Sequence, residues 1–132
     1  MTRIYPAIAA FLGMLTIILG AFGAHALKEQ LDPESLKSFA TGVRYMMYHV
    51  LGILLFYCSP MLSQKSKIRI SQCFLVGILL FSGSIFVIAL DLIPAKAIWF
   101  ITPLGGVFFI IGWLIAGMSF LKTKGKDSKE QL

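Results

Sequence analysis

Carboxylates are scarce in this chain. Six Asp and Glu stand against 12 Lys and Arg over 132 residues, giving a net charge of +6. Asp91 is the only carboxylate set at the edge of long apolar sequence. A lone Asp beside Lys96 caps a helix or pairs a charge more readily than it catalyses. There are only two cysteines, Cys58 and Cys73, and they form no CxxC, CxxCH or zinc spacing. No serine, cysteine or carboxylate pair is arranged for nucleophilic or acid–base chemistry. No nucleic-acid motif accompanies the basic balance. The expectation is a non-enzymatic protein with no cofactor, no metal and no nucleic-acid partner.

What is abundant is apolar sequence. Hydrophobic residues make up 58% of the chain, and mean hydropathy is +0.84. Soluble domains are about 45–50% apolar, so the surplus must face lipid. Four segments are long enough to cross a bilayer, which takes roughly 20 helical residues. Helices are required, because open strands leave backbone groups unpaired in lipid. The fold class is therefore an all-α integral membrane protein, an antiparallel bundle of four transmembrane helices. The helices are expected at about 4–24, 33–62, 68–90 and 97–121, in one domain over 1–121. A basic tail over 122–132 has no hydrophobic period and is expected to be disordered.

Local signals sharpen these boundaries. The Ala24-His25-Ala26 triplet fits a signal-peptidase site, but the preceding run is about 20 residues, longer than the 7–15 of a signal h-region. The first segment is thus read as a retained helix. Asp32-Pro33 is a helix start, with Asp as N-cap and Pro at the first helical position. Leu36, Phe39, Ala40 and Val43 then share one face, so helix two begins amphipathically outside the hydrocarbon. The SQKSKIR and DLIPAK links are short, which makes sequential helices antiparallel neighbours. Arg3, Lys65, Lys67, Arg69, Lys122, Lys124, Lys126 and Lys129 fall on one side of the membrane. Lys28, Lys37, Arg44 and Lys96 fall on the other. This bias puts both termini in the cytoplasm, where Cys58 and Cys73 are reduced thiols; the inverted topology would allow them a disulfide.

Polar residues inside apolar helices are costly and therefore informative. In this orientation they gather toward the outer end: His25 on helix one, Arg44, Tyr45, Tyr48 and His49 on helix two, Asp91 on helix three. One reading is that they lock the bundle through interhelical hydrogen bonds, each worth roughly 0.6–2 kcal/mol. Another is that they bind a small anionic group or lipid headgroup, with Arg44 on the anion and a histidine carrying a proton. Metal ligation by the two histidines is a third, although His-x23-His matches no recognised spacing. A small oligomeric transporter or channel, or an accessory subunit of a membrane complex, are the other functional classes. Either would add a homo-oligomer or membrane-protein partner to the lipid bilayer.

Small residues mark expected packing faces: Gly13, Gly20 and Gly23 on helix one, and Gly105 and Gly106 on helix four. Pro103 with these last two glycines predicts a kink. GAFGAHAL at 20–27, followed by VRYMMYH at 43–49, resembles the signature of the YgdD/YwdK family of small bacterial membrane proteins. The resemblance covers nearly the whole chain. In that family the His of GAFGAH and an R-Y-x-x-Y-H pattern recur, which map here onto His25 and onto Arg44, Tyr45, Tyr48 and His49. Position 46 is Met where many members have Gln. The resemblance implies a bacterial inner-membrane location and four helices, and it brings no activity, substrate or catalytic residue.

Overall fold

A computed structural model describes residues 3–130, with side chains from Arg3 to Lys122. Among these residues there are helices and turns and no strand. Helix α1 is Ile4–His25 and α2 is Pro33–Cys58. Helix α3 runs Gln64–Ala89, α4 is the single turn Ala95–Ile98, and α5 is Ile101–Glu130. Four stretches are long and apolar enough to cross a membrane: Ile4–His25, Pro33–Cys58, Gln64–Ala89 and Ile101–Lys122. The expected four-span, all-helical architecture is therefore present. The start of α1, the α2–α3 loop and the end of the α5 span share one face, called here the termini face. The α1–α2 loop and the α3–α4 loop make the far face.

Packing follows chain order. Helix α1 lies chiefly on α2, α2 on α3, and α3 on α5. Phe11, Ile17, Ile18 and Phe22 of α1 stay exposed, as expected of a helix turned toward lipid. The main core lies between α2, α3 and α5, around Met46, Val50, Ile53, Phe56, Phe74 and Phe109. A second, smaller core at the far face joins Leu27, Phe39 and Ala89, flanked by Leu36 and Val43. That is the amphipathic start of α2: Leu36, Phe39 and Val43 turn inward as their spacing requires.

Capping decides the boundaries. Asp32 accepts hydrogen bonds from the backbone N–H groups of Glu34 and Ser35, each at 3.0 Å. Hydrogen bonding from the Ser35 side chain, then from the Ser35 and Glu34 backbone, holds the Asp32 carboxyl below the ordinary carboxylate range. Helix α2 ends at Cys58 rather than near residue 62. Pro60 disfavours helical geometry at the residue before it, and Ser59 is extended, with ψ 125°. Ser63 then caps α3, its Oγ accepting from Ser66 N–H. Lys65, Lys67 and Arg69, expected in a loop, therefore lie on the first two turns of α3.

The expected kink around Pro103 is instead a break before it. Pro103 has no N–H for the carbonyl of Trp99, and its ring would crowd that carbonyl. The chain turns at Trp99–Phe100 and restarts at Ile101, which leaves Pro103 in the first turn of α5. The last helix extends to Glu130 and so takes in most of the tail expected to be disordered. Lys and Glu are good helix formers. Side chains beyond Lys122 lie outside the described ones.

Helix α3 contains one widened turn, Ile78–Ser82, where the Gly83 N–H reaches back to the Ile78 carbonyl. Such π turns re-aim the side chains around them. Here Ser82, fully buried, donates to the Gly42 carbonyl of α2 at 2.7 Å. Phe81 lies over Gly105 of α5, where a Cβ would meet Phe81 backbone atoms. Ser84 and Thr102 share a hydrogen bond just beyond.

Candidate functional site

The polar residues read as one cluster are divided between two sides of α2. Arg44 and His49 are five residues apart, which turns them about 140° from each other on an α-helix. Arg44 faces α1, whereas His49 faces α3 and α5.

His49 is buried, at 4% exposure. Its ring stacks on Phe109 with centroids 3.4 Å apart and planes 7° from parallel, and meets the edge of Phe74. Nδ1 lies 2.7 Å from the Tyr45 carbonyl. Nε2 accepts from the indole N–H of Trp113 at 3.2 Å. An indole nitrogen can only donate and a carbonyl can only accept. The two bonds together define a neutral imidazole with its proton on Nδ1. Both ring nitrogens are then satisfied, and the ring ties α2 to α5. Phe74 is held between Gly52 of α2 and Gly112 of α5, where an added Cβ would strike its ring.

Tyr45 and Tyr48 are exposed beside this ring. Tyr45 packs on Phe81 and Tyr48. With His49, Phe109 and Trp113 the two tyrosines line an aromatic slot of about 480 Å³ between α2 and α5. Trp113 and Phe109 were not singled out from the sequence. Their i, i+4 aromatic spacing on one face of the last helix was the available signal.

The other side of α2 carries a groove of about 570 Å³ against α1. Gly20, Gly23 and Ala24 of α1 line one wall, and Phe39, Ala40 and Val43 of α2 the other. Lys28 and Arg44 also line it, and no carboxylate does. The GAFGA segment is what keeps the two helices close here: a Cβ on Gly23 would stand 3.0 Å from the Phe39 ring. Gly13 and Gly20 sit at ordinary contact distances from Val50 and Val43. From the sequence Lys28 carried only a topological signal, as one of the charges on the outer side.

His25 and Asp91 join neither side. His25 is exposed at the end of α1, and the hydrogen bond expected to helix two is absent among the described residues. Asp91 is exposed with φ 56°, the left-handed conformation that closes a helix. Its N–H bonds to Ile88 O and that of Leu92 to Val87 O, the pair of bonds of a Schellman cap. The described residues hold no group of three His, Cys, Asp or Glu that could hold a metal.

Four apolar spans with buried, paired polar groups and a cation-edged groove define a helical integral membrane protein. Residues 19–106 match the family described as "Protein of unknown function (DUF423)". The UPF0382 inner membrane protein YgdD of Escherichia coli is 37% identical over 124 residues, covering 89% of this chain and 90% of its own. A UPF0382 membrane protein of Haemophilus influenzae is 35% identical, covering 91% and 95%. YwdK of Bacillus subtilis is 34% identical, covering 91% and 98%. The chain belongs to this UPF0382 membrane protein family of unknown function. No solved structure matches it.

Proposed function

We propose that this is a non-enzymatic inner-membrane protein in which the two sides of α2 have different tasks. His49 locks α2 to α5, and the α1–α2 groove binds the anionic headgroup of a lipid. The observation that carries the second task is Lys28 and Arg44 lining one apolar groove with no carboxylate beside them. A guanidinium and an ammonium at the mouth of an apolar slot suit a phosphate on an acyl body. The excess of Lys and Arg on the termini face supports a cytoplasmic location for both ends. The groove then opens in the outer leaflet.

Native mass spectrometry after gentle extraction tests this. Wild type is expected to retain phosphatidylglycerol in preference to phosphatidylcholine. The Lys28→Gln/Arg44→Gln variant should lose one lipid equivalent while melting like wild type. His49→Ala should melt early and keep that lipid while folded. A double variant that retains the full complement of phosphatidylglycerol refutes the groove as the site.

A further inference from the structure

A third cavity lies at the termini face, between the α2–α3 loop and the end of the α5 span. Its volume is about 730 Å³. Arg69 of α3 and Lys122 of α5 line it, together with Ser63, Ser66 and Ser119. The three hydroxyls are tied across the helices: Ser63 and Ser119 each donate to Ser66 Oγ, at 3.0 and 2.9 Å. Nearer the middle of α5 the lining becomes apolar with Leu114 and Met118, both exposed.

The carboxylates with described side chains are Glu29, Asp32, Glu34 and Asp91. All four lie at the far face, on the α1–α2 loop, the start of α2 or the end of α3. Arg69 and Lys122 make no ion pair among the described residues. The lining thus offers two cations and a connected set of hydroxyls near the helix ends, and apolar side chains further along α5. A free phosphate would use only the mouth of so large a space. An amphiphile with a phosphate at one end matches both the polar and the apolar parts of the lining.

We propose that this cavity binds the phosphate-bearing headgroup of an anionic lipid in the leaflet of the termini face. Arg69 and Lys122 contact the phosphate oxygens, the serines hydrogen-bond to the glycerol end, and the acyl chains start along Leu114 and Met118. Basic pockets between spanning helices are established places for such headgroups. The site is independent of the α1–α2 groove, since the two share no residue.

Cys58 offers a local reporter, being exposed at the end of α2 close to the cavity residue Pro60. With Cys73 replaced by Ala, a fluorophore on Cys58 is read in phosphatidylcholine nanodiscs. Small amounts of doxyl-labelled phosphatidylglycerol or phosphatidylcholine are then introduced. The anionic quencher is expected to act at roughly tenfold lower mole fraction than the neutral one. Arg69→Gln/Lys122→Gln should remove that difference. Arg69→Lys/Lys122→Arg should keep it, and so should Lys28→Gln/Arg44→Gln, whatever the far groove does. Equal quenching by the two lipids in the unmutated site overturns the proposal, as does a difference that survives Arg69→Gln/Lys122→Gln. Displacement of the anionic quencher by millimolar inorganic phosphate would assign the site to a soluble anion and overturn the lipid.

Discussion

Gly105 and Gly106 are neighbours in sequence and in helix, yet the fold gives them opposite tolerances. A Cβ on Gly105 would lie 2.8 Å from both Cα and Cβ of Phe81 and closer still to the Phe81 backbone nitrogen. Carbon atoms pack best at about 3.5–4.0 Å, so α3 and α5 would have to part locally by about 1 Å. No side-chain rotation relieves this, because the obstructing atoms are backbone. The separation would also loosen Phe81 from Tyr45 and Phe109, whose ring centroids lie 4.9 and 5.5 Å away. Overpacking of this kind costs about 1–3 kcal/mol and sometimes more. Alanine's better helix propensity returns about 1 kcal/mol at most. A Cβ on Gly106 would meet nothing nearer than the Phe81 ring at 3.8 Å, so Gly106→Ala keeps the propensity gain and has little to set against it. The two variants should therefore differ by about 2 kcal/mol, with Gly105→Ala destabilised and Gly106→Ala equal to wild type or better. Unfolding in mixed micelles, titrated with a denaturing detergent, measures both on one scale. If Gly105→Ala unfolds with wild type, or if Gly106→Ala is the weaker of the two, the close α3–α5 crossing is wrong.

Two further substitutions test the caps and the buried imidazole. Trp113→Phe keeps a ring in place but leaves His49 Nε2 without a donor, which should cost about 1 kcal/mol inside a membrane. A double-mutant cycle with His49→Leu must show coupling between the positions, and simple additivity refutes the hydrogen bond. Asp91→Gly removes a Cβ from a left-handed position and should stabilise by about 0.5–1 kcal/mol. A loss of stability in the same unfolding assay would mean that the Asp91 carboxylate has a partner the structure does not give it.

Sequence signals were strongest where a short stretch dictates its own conformation. Asp32-Pro33 starts α2 because a carboxylate can cap the very next N–H groups. Lipid solubility needs only a run of apolar residues, so all four spans were legible. Boundaries shifted where two local rules competed. Pro60 ended α2 early, Ser63 started α3 early, and Pro103 turned an expected kink into a break ahead of the helix.

By itself, then, the sequence determined the class of protein, the number of spans and the residues that lipid would penalise. Tertiary structure alone decided which of those residues meet. Arg44 and His49 share a helix, but α1 covers one side of it and α5 reaches the other, so a single run of polar residues serves two places. Trp113 is 64 positions from His49, and Ser66 is 53 from Ser119. Pairings at such separations depend on how helices cross, and small residues set those crossings by what they allow close by. That property belongs to the partner surface as much as to the glycine, which is why Gly105 and Gly106 read alike in the chain and differ in the fold.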